Sequence, residues 1–393
     1  MAMAEALYQL LVFGRPDERI DRIVAQLQVS LGELGLASGT IEVIAEADAG
    51  RRMAELPAVV LFSGYDGAND AAHSALDSLL ADSISIITMV SDLKRVSSEL
   101  PECLRHINAL PVTPDQNIDR VASLVLESFR LLRRERRLFI SYRRDDSQGV
   151  ANQLYDALDA RGFDVFIDTR TVPPAVDFQE ELWHRLADTD VVVLLDTKGF
   201  RSSRWTTEEL ARANATNIQI LHLLWPGQVE DVASAFSYFH PLIDGDFIGT
   251  DPIHNGSLLE DAAVRAICDH AERLRARAIA ARHAYLVDSF CDNARDRGFT
   301  PSVQPERWIS IDVLPGRTLA VVPIIGVPNS LGINQIFDAI SNAGSGTGGI
   351  WVLYDSRGLM TSWLSHLDWL DGYLPLRSMR LASIDGALRS ITP

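Results

Sequence analysis

The chain has 393 residues, of which 47% are hydrophobic, and it carries a formal net charge of −17. This length predicts two or three domains, and the negative charge excludes a general nucleic-acid binder, because phosphate needs a positive surface. Three widely separated cysteines favour a reducing cytoplasm over a disulfide scaffold. The N-terminal stretch lacks the basic region of a signal peptide, and no apolar run reaches the ~20 residues that span a bilayer.

The first predicted unit, residues 1–130, alternates between short apolar runs and amphipathic stretches. Buried strands are predicted at 8–13, 58–62 and 84–90, with helical spacing of apolar residues between them. Such alternation is typical of a parallel, doubly wound sheet. The last helix of the unit ends in an arginine-rich stretch, 130–137, which we interpret as a solvated helix end.

The second unit repeats the pattern more regularly. Four apolar runs predict the strands of another parallel sheet, at 138–142, 164–168, 191–195 and 218–224. Helices are predicted between them, one from about Ser147 to Arg161 and one after a capping-box-like start at Asp177. The pattern is flavodoxin-like.

A helix is predicted from 258 to 277 with an arginine-rich end, and a third α/β unit fills 284–393. The predicted fold class is therefore α/β, with tandem flavodoxin-like or Rossmann-like three-layer units and parallel sheets. The predicted domains are 1–130, 136–250 and 284–393. The glycines at 344–349 are interpreted as a loop, because no dinucleotide or P-loop spacing accompanies them.

Two motifs stand out in the second unit. The first is a strand followed by a polar turn, Leu138 to Asp146, which reads LFISYRRDD; the second is SSRWTTEEL, at Ser202 to Leu210. Trp205 and Glu209 are four residues apart and would share one helical face. Together the motifs resemble a Toll/interleukin-1 receptor (TIR) domain of the bacterial type that cleaves NAD⁺, and the resemblance covers residues 136–250.

The resemblance implies that Glu209 is the catalytic residue of an NAD⁺ glycohydrolase. When nicotinamide leaves, positive charge develops on the ribose, and a nearby carboxylate stabilises that charge. NAD⁺ is the substrate, and neither a further cofactor nor a metal is expected. The alternative for Glu209 is a solvated helix residue. Neither flanking unit repeats the Trp–Glu pair, so catalysis is expected only in the middle unit.

Substrate-binding residues are expected where the strands end, since ligands of doubly wound sheets bind outside the carboxyl ends. Arg143 would meet a phosphate, or else form a surface salt bridge. Trp205 would wall the site or pack in the core, and Asp168 and Ser203 would contact substrate or cap local structure. These candidates lie at the ends of the predicted strands or within the SSRWTTEEL motif: Ser141, Tyr142, Arg143, Asp168, Ser203 and Trp205.

The resemblance also implies activation by assembly. The loop after the second strand, 169–177, would be positioned by a neighbouring subunit, and its candidate residues are Arg170, Pro173 and Pro174. The expected role is a cytoplasmic bacterial immune (anti-phage) effector or signal-generating enzyme, with the flanking units binding an activating ligand or protein. Two alternatives stay open: a non-enzymatic adaptor that binds other TIR domains, and a related enzyme that cleaves another N-glycosidic bond.

Overall fold

A computed structural model of the protein describes residues 6–68, 73–167, 178–199, 216–230, 237–249, 255–304, 306–342, 344 and 348–391. The chain divides into two structural units, which replace the predicted units as the meaning of the word from here on. The first unit is Met1–Glu135 with Leu259–Arg277, and the second is Arg136–Leu258 with Ala278–Pro393. None of the helices in the described ranges is long and apolar enough to cross a membrane. Each predicted domain range contains one sheet, while the domain boundaries themselves stay predictions.

Fifteen strands and ten helices are numbered here in chain order among the described residues. The strands are β1 Tyr8–Gly14, β2 Ile41–Ala45, β3 Ala58–Ser63, β4 Ser85–Val90, β5 Leu110–Pro111, β6 Arg137–Ser141, β7 Asp164–Ile167, β8 Val191–Asp196, β9 Gln219–Leu224, β10 Tyr238–Pro241, β11 Ser302–Val303, β12 Ile309–Leu314, β13 Arg317–Pro323, β14 Gly349–Tyr354 and β15 Arg377–Arg380. The helices are α1 Glu18–Glu33, α2 Ser74–Ala81, α3 Val96–Glu99, α4 Ile118–Ser128, α5 Arg144–Asp159, α6 Phe178–Asp188, α7 Asp261–Asp296, α8 Ser330–Asn342, α9 Thr361–Leu370 and α10 Ile384–Arg389.

The first sheet is parallel throughout, with strand order β2-β1-β3-β4-β5. Its central strands are apolar on both faces because helices cover both sides of a doubly wound sheet. Asp17 caps α1 by accepting from the Arg19 backbone N–H. Gly14 ends β1 with a φ of +81°, and a Cβ there would lie 2.3 Å from the carbonyl oxygen of Ser63, so only glycine fits.

The second sheet is also parallel, with strand order β10-β9-β8-β6-β7. Every residue of β8 is buried, as expected of a central parallel strand. Helix α6 packs Leu182 and Leu186 against Phe139, Phe166 and Val192 of this sheet. The predicted α/β class with parallel sheets is therefore confirmed.

The third sheet has the order β11-β12-β13-β14-β15, and its last three strands are parallel. A hairpin joins β12 to β13 in antiparallel pairing, and β11 pairs antiparallel with β12. The sequence analysis did not predict β12. In this strand the polar Ser310 and Asp312 alternate with the buried Ile309 and Ile311, so there is no continuous apolar run. Gly316, with a φ of +76°, makes the turn.

Helix α7 is 36 residues long. The prediction that this helix ends near 277 was wrong, because it continues to Asp296. The arginines predicted to end it, Arg273, Arg275 and Arg277, lie inside the helix, and each forms an ion pair. Arg275 is fully buried; it pairs with Glu127 at 2.8 Å and donates to the backbone carbonyls of Arg133 and Glu135. The arginine-rich stretch interpreted as a solvated helix end follows α4, which stops at Ser128, and supplies those carbonyls.

His283 gives the C-terminal part of the second unit a specific pH dependence. Its Nε2 lies 3.2 Å from the carbonyl oxygen of Arg307, and burial lowers its pKa from 6.5 to about 4. The unfolded chain therefore binds a proton first as pH falls below 6.5. We expect the free energy of unfolding to drop by about 1–2 kcal/mol from this group between pH 7 and pH 5.

Urea unfolding at both pH values measures this drop. His283→Gln keeps an N–H donor but does not titrate, so the variant should lose less stability over the same interval. An equal loss in both proteins would contradict the assignment to His283.

Candidate functional site

The carboxyl ends of three neighbouring strands form the edge of the second sheet at which Ser141, Tyr142 and Arg143 lie. Strands β6, β7 and β8 end at Ser141, Ile167 and Asp196, and they lie side by side in the order β8-β6-β7. Because the strands are parallel, these ends share one edge. Ser141 is buried, and Tyr142 and Arg143, which follow it, are half-buried.

Arg143 occupies the N-cap position of α5, with extended backbone angles. Its carbonyl oxygen accepts hydrogen bonds from the backbone N–H groups of Asp146 and Ser147. Its guanidinium lies 3.7 Å from the Asp145 carboxylate and 3.6 Å from the Asp146 carboxylate. The structure thus contains the salt bridge that the sequence analysis left as an alternative, and phosphate binding by Arg143 stays a prediction.

Asp146 joins the ends of β6 and β8. Its Oδ2 accepts a hydrogen bond of 2.7 Å from the hydroxyl of Thr197, the first residue after β8. Gly199 lies against the same group: a Cβ there would fall 1.9 Å from Arg143 Nη1 and 2.5 Å from Asp146 Oδ2. The turn after β6 and the turn after β8 are therefore packed together, and a larger residue at position 199 would displace the Arg143 and Asp146 side chains.

A buried histidine–aspartate pair lies behind this edge. His222 Nε2 of β9 is 2.9 Å from Asp196 Oδ2, and both side chains are less than 5% exposed. The His222 ring packs on Phe239 of β10, with ring centroids 5.0 Å apart. Its Nδ1 has no hydrogen-bond partner among the residues that the structure describes. The pair holds the last residue of β8, from which the chain leaves towards Gly199.

Most of the predicted site residues lie outside the described ranges: Asp168, Arg170, Pro173, Pro174, Ser203, Trp205 and Glu209. The segments that carry them begin directly after Ile167 and Gly199 at the edge described above. Their roles therefore stay predictions. Within the described ranges, no group of three or more His, Cys, Asp and Glu side chains is placed to hold a metal ion.

The sequence analysis missed Asp146, Asp196 and His222 as members of this site. A signal was present for two of them, because each is a polar residue in a run of apolar strand residues. Such residues are buried only with a partner, so an Asp and a His on adjacent strands predict each other. No comparable signal marked Asp146, which lies in the polar first turn of α5.

Comparison with known proteins identifies the middle of the chain. A sequence model of the TIR-domain family matches residues 138–244, which include the whole edge described above. No curated protein matches the chain.

Several solved structures show remote similarity to this chain. An ABC sugar transporter component from Legionella pneumophila is 10% identical, with 58% of this chain and 83% of that chain covered and a TM-score of 0.18. The glucose-galactose binding protein GanP from Geobacillus stearothermophilus is 11% identical, with coverages of 71% and 92% and a TM-score of 0.18. A carbohydrate transporter from Acidothermus cellulolyticus is 12% identical, with coverages of 69% and 99% and a TM-score of 0.20. Scores this low carry no argument about fold or function.

The His222–Asp196 pair should be a large contributor to the stability of the second unit. His222→Phe keeps a ring against Phe239 but removes the nitrogen that meets the Asp196 carboxylate. Breaking a buried pair in this way costs about 3–5 kcal/mol. We expect a loss of that size in urea unfolding at pH 7.

His222→Gln is the matched comparison, because its amide can still donate to the carboxylate. It should lose clearly less stability than His222→Phe. Equal stability of His222→Phe and the wild type would show that the pair is not needed.

Proposed function

We propose that the TIR domain at residues 138–244 is an NAD⁺ glycohydrolase, with Glu209 as its catalytic carboxylate. The observation that carries the proposal is that both segments leave from one sheet edge. The stretch with Glu209 follows Gly199, just after β8, and the assembly loop follows Ile167, the last residue of β7; these two strands flank β6. Doubly wound sheets bind ligands at this edge, which supports a substrate site there.

The proposed reaction breaks the bond between the ribose C1′ and the nicotinamide nitrogen. Nicotinamide leaves with the bonding electron pair and becomes neutral, so no strong acid is needed. Positive charge develops on the ribose, where the Glu209 carboxylate would stabilise it. Water then attacks C1′ and releases a proton, which gives ADP-ribose.

The described edge offers polar groups suited to the rest of the substrate. Arg143 is half-buried and bridges two carboxylates with contacts of 3.6 and 3.7 Å, which are long for charge-assisted hydrogen bonds. A pyrophosphate could therefore compete for its guanidinium. We propose that Arg143 exchanges Asp145 for a substrate phosphate, while Asp146 keeps its hydrogen bond to Thr197.

The biological role proposed for this activity is that of a bacterial defence effector or signal-generating enzyme. It rests on the resemblance of the two motifs to NAD⁺-cleaving TIR domains. The flanking sheets carry no second Trp–Glu motif, and we propose that they bind the activating ligand or protein.

Glu209 should be essential for nicotinamide release. Glu209→Gln keeps the shape of the side chain and loses the charge that stabilises the transition state. We expect release from NAD⁺ to fall by at least about 100-fold, with an unchanged melting temperature. Chromatographic detection of nicotinamide measures this directly.

Glu208→Gln is the control, because it removes the adjacent carboxylate and should leave the rate within about twofold of wild type. Release at the wild-type rate from Glu209→Gln would overturn the assignment. No release from the wild type at any concentration would favour the adaptor alternative, whose TIR surface only binds other TIR domains.

Activity should rise faster than linearly with protein concentration, because the loop at 169–177 would be positioned by a neighbouring subunit. Arg170→Glu should reduce assembly and activity together, by about tenfold, while the protein stays folded. Light scattering and nicotinamide release per mole, measured over the same dilution series, test both.

Arg317→Glu makes the same change of charge at an exposed strand start and should behave like the wild type. Constant activity per mole from a strict monomer would refute activation by assembly, but it would not affect the role of Glu209.

A further inference from the structure

Helix α6 is buried on two sides. One side packs Leu182 and Leu186 into the core of the second sheet. The opposite side, which we define as the outer face of α6, comprises Glu180, His184, Ala187 and Asp188. Ala187 belongs to the core of the third sheet, in one cluster with Ala320, Ile333 and Leu359. Helix α6 thus also packs into the core of the C-terminal domain.

Three side chains of the outer face accept hydrogen bonds from the C-terminal domain. The residues are four apart, so they form one stripe along the helix. Glu180 Oε1 accepts from the Thr361 N–H at 3.2 Å, His184 Nδ1 from the Met360 N–H at 3.3 Å, and Asp188 Oδ1 from the Val327 N–H at 3.0 Å.

The donors lie in the segments that follow β13 and β14. They are therefore at the carboxyl edge of the third sheet, where a doubly wound domain would bind its own ligand. In this structure α6 occupies part of that edge.

Shape and polarity both fit at this contact. Gly358 has a φ of +82°, and a Cβ there would lie 3.1 Å from the Trp183 carbonyl oxygen. The Trp363 ring packs on the His184 ring, with centroids 5.5 Å apart. Burial lowers the pKa of His184, which keeps the ring neutral so that Nδ1 can accept. Arg282 donates to the carbonyl oxygens of Ala187 and Thr189 at the end of α6.

We propose that the C-terminal domain, residues 284–393, is an intramolecular inhibitor that occupies the outer face of α6 and blocks assembly through it. A second copy of the TIR domain cannot pack on a face that its own chain already covers. The same contact holds Glu180, near the start of α6. Release of the C-terminal domain frees this face of the helix. The inference rests on the proposed function only where activity is the readout.

The mildest test removes one of the three hydrogen bonds without disturbing a helix. Thr361 is the first residue of α9, a position that accepts proline. Met360 before it has φ −59° and ψ 142°, the conformation that a residue before proline prefers. Thr361→Pro therefore deletes the N–H that Glu180 accepts and leaves the backbone as it is.

Two further variants weaken the contact from either side, His184→Ala on α6 and Trp363→Ala on α9. Trp369→Ala is the matched control, because Trp369 lies on the same helix, is 58% exposed and packs on Tyr373 instead of α6. Light scattering over a dilution series gives the concentration of half-assembly for each full-length protein.

We expect half-assembly at about fivefold lower concentration for Thr361→Pro, and about tenfold lower for His184→Ala and for Trp363→Ala. Trp369→Ala should match the wild type. Nicotinamide release from dilute protein should rise in parallel. Folded variants that assemble at the same or a higher concentration than the wild type would overturn the inference.

The assembly curve decides this question even if no protein in the series cleaves NAD⁺. In that case the proposed function fails and the inhibitory contact is still tested. If His184→Ala or Trp363→Ala does not fold, Thr361→Pro decides alone, because its substitution is compatible with the native backbone.

Discussion

Helix α6 has to bury two faces at once, and the second unit depends on how it does so. A helix buried on all sides is usually apolar all round. Here the stripe of Glu180, His184 and Asp188 faces the C-terminal domain instead. Each accepts a hydrogen bond, which the half-buried His184 and the buried Asp188 need most. Asp188 makes two of these interactions, because it also forms an ion pair with Arg137 of β6 at 3.0 Å. One carboxylate therefore ties together a strand of the TIR sheet, α6 and the C-terminal domain.

The same feature explains where sequence analysis succeeded and where it did not. The apolar runs of β6 to β9 and the spacing of Leu182 and Leu186 follow from burial against neighbouring elements, so their periodicity predicted them. The sequence does not predict the contact at the outer face of α6, because its partners are more than 130 residues away in the chain. Those partners are backbone N–H groups, which have no residue type and leave no trace in a sequence.

The candidate site shows a similar division. The turn after β6 was recognised from its residues, and Ser141 and Arg143 lie at the strand end as expected. The Asp146–Thr197 hydrogen bond and the position of Gly199 depend on how two turns meet, which the spacing along one chain does not encode. Buried ionic partners leave no sequence signal either: Glu127, which pairs with Arg275, is 148 residues away in the chain.

Helix α7 has a consequence for biosynthesis. The first unit takes in residues 259–277 from this helix, although the whole TIR sheet is encoded in between. Ser123 pairs with Glu272, and Glu127 pairs with Arg275. Both partners of α4 are therefore synthesised nearly 150 residues after it. Domains commonly fold in order from the N-terminus during translation. This chain departs from that order, because its first unit is complete only after the TIR sheet has been synthesised. Until then, the nascent chain exposes the surface of α4 that residues 259–277 later cover.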